Sequence, residues 1–170
     1  MKVKYLLVII LLALFSCEDE QQIKKEVLQN NIMSNNIDFV EYCWNNKDLA
    51  KLKAISTEGL IRNLNGIKVA SSQKEMEANM KVYFNGFPNL KVTLNNTYVK
   101  NNMLFIYWTF EGTNTGVFGE TPATGKKVKV SGFSIVHFNE NGKMIQEDIY
   151  FNELEFLQQL GYILNPPNVE

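Results

Sequence analysis

Gly112–Asn152 reads GTNTGVFGETPATGKKVKVSGFSIVHFNENGKMIQEDIYFN. A loop rich in glycine and threonine leads into Val128–Phe138, a run rich in β-formers. Asn139-Glu140-Asn141-Gly142 then turns the chain, and Lys143–Asn152 returns as a second strand. A three-residue turn at Glu140–Gly142 sets Val136 opposite Gln146, Ser134 opposite Asp148 and Gly132 opposite Tyr150. Because strand side chains alternate, one face then carries Val128, Val130, Ser134, Val136, Phe138, Gln146, Asp148, Tyr150 and Asn152. That face mixes apolar and polar groups, as a pocket wall does. The other face, with Phe133, Ile135, His137, Ile145, Glu147, Ile149 and Phe151, is more apolar and reads as a core or an oligomer face.

Upstream lie more strands. Met103–Phe110 (MLFIYWTF) is apolar on both faces, which predicts a central strand covered on both sides. Leu90–Val99 precedes it across an Asn101-Asn102 turn. Further back, Ser71-Ser72 with Glu75 starts a helix carrying Met76, Met80, Tyr83 and Phe84, ended by Gly86 and Pro88. Thr57–Ala70 folds around Asn65-Gly66 as a hairpin. Asp48 opens a short helix through Leu49, Leu52 and Ile55, and Ile32, Met33, Ile37, Val40, Cys43 and Trp44 mark an amphipathic helix before it. Downstream, Glu153–Leu160 reads as a helix ended by Gly161. Helices first and strands afterwards predict an α+β domain: a curved antiparallel sheet with N-terminal helices packed in a cone.

The first residues differ from the rest. Lys2 and Lys4 precede an apolar run from Tyr5 to Phe15, short for a membrane span and suited to a signal-peptide core. The run ends in Leu14-Phe15-Ser16-Cys17, which resembles a bacterial lipobox. That resemblance implies cleavage before Cys17, acylation of its thiol and amino group, and a chain anchored in a bacterial cell envelope, facing the periplasm or the cell surface. The expected organisation is a signal peptide over 1–16, a polar tether over 17–30, a folded domain over 31–164 and a tail over 165–170. The remaining residues are enough for one domain with a real core.

The chain of 170 residues carries a formal net charge of −1 and 45% hydrophobic residues, with no basic block, so nucleic acid is not an expected partner. The two cysteines, Cys17 and Cys43, and the single His137 form no metal-ligand spacing. No metal and no cofactor is expected, and Cys43, set between Val40 and Trp44, reads as a buried, inert thiol.

Phe87-Pro88-Asn89-Leu90, the Gly112–Gly132 loop with its Thr124-Gly125-Lys126, and GKMIQEDIYFNELEFLQQLG at 142–161 resemble the SnoaL-like ester cyclase (polyketide cyclase) family, over about Ile32 to Gly161. The resemblance implies the cone fold of nuclear transport factor 2 and, for family enzymes, metal-free ring closure of a polyketide ester by an acid–base side chain. The chain departs from the pattern at Asn114, where many relatives have histidine, at Asn152, where they have aspartate, and at Asn89. Asparagine does not transfer a proton at neutral pH. Asp148, assisted by Tyr150, is the acid left to act, and Trp108, Asn114, Phe118, Ser134, Val136 and Asn152 are the expected ligand-binding residues. The favoured expectation is a lipid-anchored module that holds a small apolar ligand without catalysis. An enzyme of cyclase or isomerase type using Asp148 is the alternative, and pairing of two copies through the sheet is a further expectation.

Overall fold

The computed structural model describes residues 2–166, with side chains from Glu20 onward. The side chains of the leader, Cys17 among them, and the last residues of the tail lie outside the described residues. The elements run in the order α1 (Lys2–Asp38), a π-helical segment (Phe39–Asn45), α2 (Ala50–Ile55), β1 (Ser56–Leu64), β2 (Ile67–Ala70), α3 (Gln73–Gly86), β3 (Lys91–Lys100), β4 (Met103–Thr113), β5 (Lys127–Phe138), β6 (Met144–Phe151) and α4 (Glu153–Leu160). Among the described residues no helix is long and apolar enough to cross a membrane.

The six strands form one open sheet in the order β2-β1-β6-β5-β4-β3. Every neighbouring pair is antiparallel except β1 and β6, which run parallel, so the sheet is mixed. Hydrophobic alternation identifies strands but says nothing of which distant strand becomes a neighbour, and the β1–β6 pairing joins residues 85 apart in sequence. The α+β cone architecture is as the sequence predicts.

Local signals explain the element ends. Ser72 caps α3 by accepting from the Glu75 amide at 3.2 Å, while the Glu75 carboxylate reaches back to the amide and hydroxyl of Ser71, each at 2.7 Å. The β1–β2 turn needs two left-handed residues and has them, Asn65 at φ 48° and Gly66 at φ 85°. The π-helical segment ends at Asn45, whose side chain takes both backbone groups of Val92 (3.0 and 2.8 Å) and so occupies the free edge of β3. Residues 18–30, expected as a tether, are helical backbone continuous with the rest of α1, which docks on the β5–β6 turn through Asn35 Nδ2 to the Gly142 carbonyl at 2.6 Å.

The β5–β6 register departs from the predicted one. Ser134 lies opposite Ile149, Ile135 opposite Asp148, Val136 opposite Glu147 and Phe133 opposite Tyr150. The cause is a β-bulge at the start of the hairpin: His137 pairs Gln146 but Phe138 pairs Met144, so Ile145 is an extra residue on β6. One inserted residue exchanges the two faces of β6 relative to β5. Met144, Glu147 and Ile149 are therefore buried with Ser134, Val136 and Phe138, while Asp148 and Tyr150 join the opposite face.

A second expectation fails on β4. Leu104, Ile106 and Phe110 are buried, but Tyr107 on the other side is 53% exposed. Phe105, Tyr107 and Phe133 pack against one another there, and among the described residues no element lies over them as a layer: the helices pack on the inner face.

Candidate functional site

The inner face of the sheet, the π-helical segment and α3 enclose a cavity of about 70 Å³. Its walls are largely apolar. Phe39, Val40 and Trp44 come from the helical layer, Ile106 and Phe110 from β4, Ile149 from β6. Half-buried Leu64, Val92, Leu94 and Phe151 also line it. Aromatic edges set the shape of this end of the cone: Trp44 meets Tyr83 and Phe84 edge-on, each at 5.8 Å between centroids.

Into this apolar space the fold places an ion pair. Arg62 on β1 and Glu147 on β6 lie opposite each other across the parallel pairing, and Arg62 Nη1 donates to Glu147 Oε2 at 2.8 Å. Both side chains are almost wholly buried (5% and 8% exposed). The guanidinium also lies over the Trp44 ring at 5.0 Å, which offsets part of its lost hydration. Burial pushes the Glu147 carboxyl above its ordinary range, Arg62 pulls it back, and nearby Asp148 adds to the rise. Burial likewise raises the Tyr83 phenol, which lines the same space. Two buried polar atoms on residues of the lining, Asn36 Oδ1 and Arg62 Nε, have no hydrogen-bond partner among the described residues.

Of the residues expected to bind ligand, Trp108 and Ser134 line the cavity, joined by a hydrogen bond from Trp108 Nε1 to Ser134 Oγ at 2.8 Å. Gly132 makes room for that indole: a β-carbon there would stand 2.2 Å from Trp108 Cζ2. The remaining expected residues lie elsewhere. Val136 is fully buried in the core beyond the lining, and Phe118 packs behind the cavity against Tyr83, Phe87 and Phe156. Asn152 caps α4, its side chain accepting from the Glu155 amide at 3.1 Å. Asn114 is fully buried as a staple of the β4–β5 loop. It donates to the carbonyls of Gly86 (3.0 Å) and Gly116 (2.9 Å) and accepts from the amide and hydroxyl of Thr124 (2.8 and 2.9 Å). Asn89 does similar work, holding the Thr113 amide at 2.7 Å and its hydroxyl at 3.1 Å.

Asp148 does not reach the cavity, because the bulge has turned it outward. Burial raises its carboxyl, but hydrogen bonds from Asn63 (2.6 Å), Gln146 (2.9 and 3.0 Å) and His137 (3.2 Å) outweigh that and leave it below its ordinary range. A carboxylate so stabilised is a poor proton carrier at neutral pH. Tyr150, on the same outer face, is 47% exposed. The Cys43 thiol is free and buried, and burial foremost pushes it up to about 12, which makes it inert as expected.

The residues that sequence reasoning missed are Arg62, Glu147 and Asn36. A signal existed for the first. Arg62 is the chain's single arginine, and it alternates with Leu60 and Leu64 on the strand face that packs inward.

The same fold recurs in solved structures. A protein of Jannaschia sp. CCS1 assigned as a SnoaL-like polyketide cyclase superposes with a TM-score of 0.72 at 18% identity, over 81% of this chain and 94% of its own. AclR of Streptomyces galilaeus, assigned as a hydroxylase, gives 0.67 at 20%, over 76% and 95%. A nuclear transport factor 2-like protein of unknown function from Burkholderia pseudomallei K96243 gives 0.64 at 12%, over 78% and 98%. At these identities the likeness is one of fold, and the fold hosts different activities. No curated protein matches the chain. The family model described as SnoaL-like polyketide cyclase matches residues 35–160, most of the chain, which therefore belongs to the SnoaL-like polyketide cyclase family.

Proposed function

We propose that this protein is a lipid-anchored binding module that holds a small apolar ligand in its cone without transforming it. One observation carries the reading. The only carboxylate among the cavity-lining residues, Glu147, is committed to Arg62 at 2.8 Å, while Asp148 lies on the other face of the sheet. A ring-closing enzyme of this kind needs a side chain free to take and return a proton beside the substrate. Apolar walls with few polar groups suit binding. The anchor rests on the lipobox-like Leu14–Cys17, and more than one acyl chain at Cys17 would hold the domain firmly at an envelope membrane. The aromatic outer face, with Tyr107 and Tyr150 exposed and Phe133 half-buried between them, supports pairing with a second copy.

Native mass spectrometry of the purified protein is expected to show a bound small molecule that organic solvent releases intact. The protein is also expected to leave an aromatic β-keto ester unchanged beyond its spontaneous rate. Ring closure that disappears in Glu147→Gln would overturn the non-catalytic reading and make Glu147 the acid. Mass analysis of the mature N-terminus is expected to find acylated Cys17, and an uncleaved, unmodified leader would remove the anchor.

A further inference from the structure

We infer that the ligand of this cavity is a neutral, hydrocarbon-bodied alcohol, whose hydroxyl donates to Asn36 and whose oxygen accepts from Arg62. The inference rests on the binding reading above and names its ligand class. Asn36 Oδ1 and Arg62 Nε are buried, both residues line the cavity, and neither atom has a hydrogen-bond partner among the described residues. Asn36 is 1% and Arg62 4% exposed, so bulk water does not satisfy them. A buried donor and a buried acceptor left unpaired are costly, and a ligand that meets both recovers that cost on binding.

The charge of the ligand follows from the ion pair. Glu147 already balances Arg62 at 2.8 Å, so a carboxylate or phosphate would bring a second negative charge beside a buried one, and an ammonium would face the guanidinium. Among neutral groups, an ether or ester oxygen accepts from Arg62 Nε but leaves Asn36 Oδ1 unpaired. A hydroxyl both donates and accepts. The apolar walls take the hydrocarbon body.

The test compares 1-octanol with its isomer heptyl methyl ether, which has the same formula and no donor. Each is titrated into the full chain while the fluorescence of Trp44 and Trp108, which both line the cavity, is followed. The alcohol is expected to bind about tenfold more tightly or better, although the ether is the more hydrophobic of the two. Octanoate is expected to bind more weakly than the alcohol. Asn36→Leu is expected to bring the isomers within about threefold and to raise the thermal midpoint of the free protein, since it removes a buried unpaired acceptor. Equal affinity of the isomers for the unmodified chain overturns the inference and leaves the apolar-ligand reading standing. So does an alcohol preference that survives in Asn36→Leu. If neither isomer nor octanoate perturbs either tryptophan, the binding reading itself falls. The comparison on the unmodified chain decides the matter whether or not the variant folds.

Discussion

At the scale of single residues, two adjacent carboxylates meet opposite fates. Glu147 is buried against Arg62, and removing one partner strands the other's charge in an apolar space. Arg62→Ala is expected to lower unfolding free energy by about 3–5 kcal/mol in urea titrations, and the double change Arg62→Met with Glu147→Leu to recover most of that loss. The two acids also respond to pH with opposite signs. The folded chain holds the Asp148 proton less tightly than the unfolded chain does, so its contribution is present above the unfolded value of about 3.9 and lost as pH falls through the lower folded one. Glu147 is raised, so its contribution is full below about 4.3 and declines as pH rises through its folded value. Asp148→Asn is therefore expected to flatten the acid side of a stability-versus-pH curve, below about pH 4, and to lower the neutral plateau without changing its slope. An unaltered acid limb would show that Asn63, Gln146 and His137 do not stabilise the charged form.

At the scale of elements, β5 and its neighbours shape the cavity. Gly132 lies opposite Trp108, and its missing side chain is where the indole sits. Gly132→Ala is expected to cost about 1–3 kcal/mol by overpacking. It should also swing the Trp108 ring away from Ser134, with a shift in tryptophan emission as the readout. A variant as stable as the parent with unchanged emission would place the indole elsewhere. Much of this element was legible in the sequence. β-forming runs on either side of the Asn139–Gly142 turn revealed both strands of the hairpin, and Asn65-Gly66 and Ser72–Glu75 marked a turn and a cap that the structure contains. The bulge was not legible, because Ile145 is as good a strand residue as its neighbours and only pairing shows that it has no partner. That single residue decides which acid faces inward, so the architecture was readable and the identity of the buried acid was not. Arg62 escaped for a related reason: its partner lies 85 residues away on a strand that runs parallel to its own.

At the scale of the whole molecule, the sheet has one covered face and one that the described residues leave bare. Tyr98, Tyr107 and Tyr150 are 61%, 53% and 47% exposed on the bare side. Aromatic surface of this kind is typical of an interface core. Sedimentation velocity is expected to show a dimer that Tyr107→Asp converts to monomer without unfolding it. A monomeric parent chain would leave that face without a second copy. The reading of Met103–Phe110 as covered on both sides came from its apolar sequence alone, and such a sequence does not distinguish a layer within one chain from a layer supplied by another.

The Asn114 staple bears on how a guest enters and leaves. Four hydrogen bonds at one buried amide tie the β4–β5 loop to α3 and to itself, so this loop is held fixed and, contributing no residue to the cavity lining, is not its door. Exchange of a guest is then expected to depend on side-chain motion among the half-buried lining residues, Leu64, Val92, Leu94 and Phe151, whose rotamers move without breaking any backbone hydrogen bond. Residence time would then be governed by side-chain bulk at those positions, and a trimmed leucine there would quicken release and uptake together while leaving the equilibrium nearly untouched.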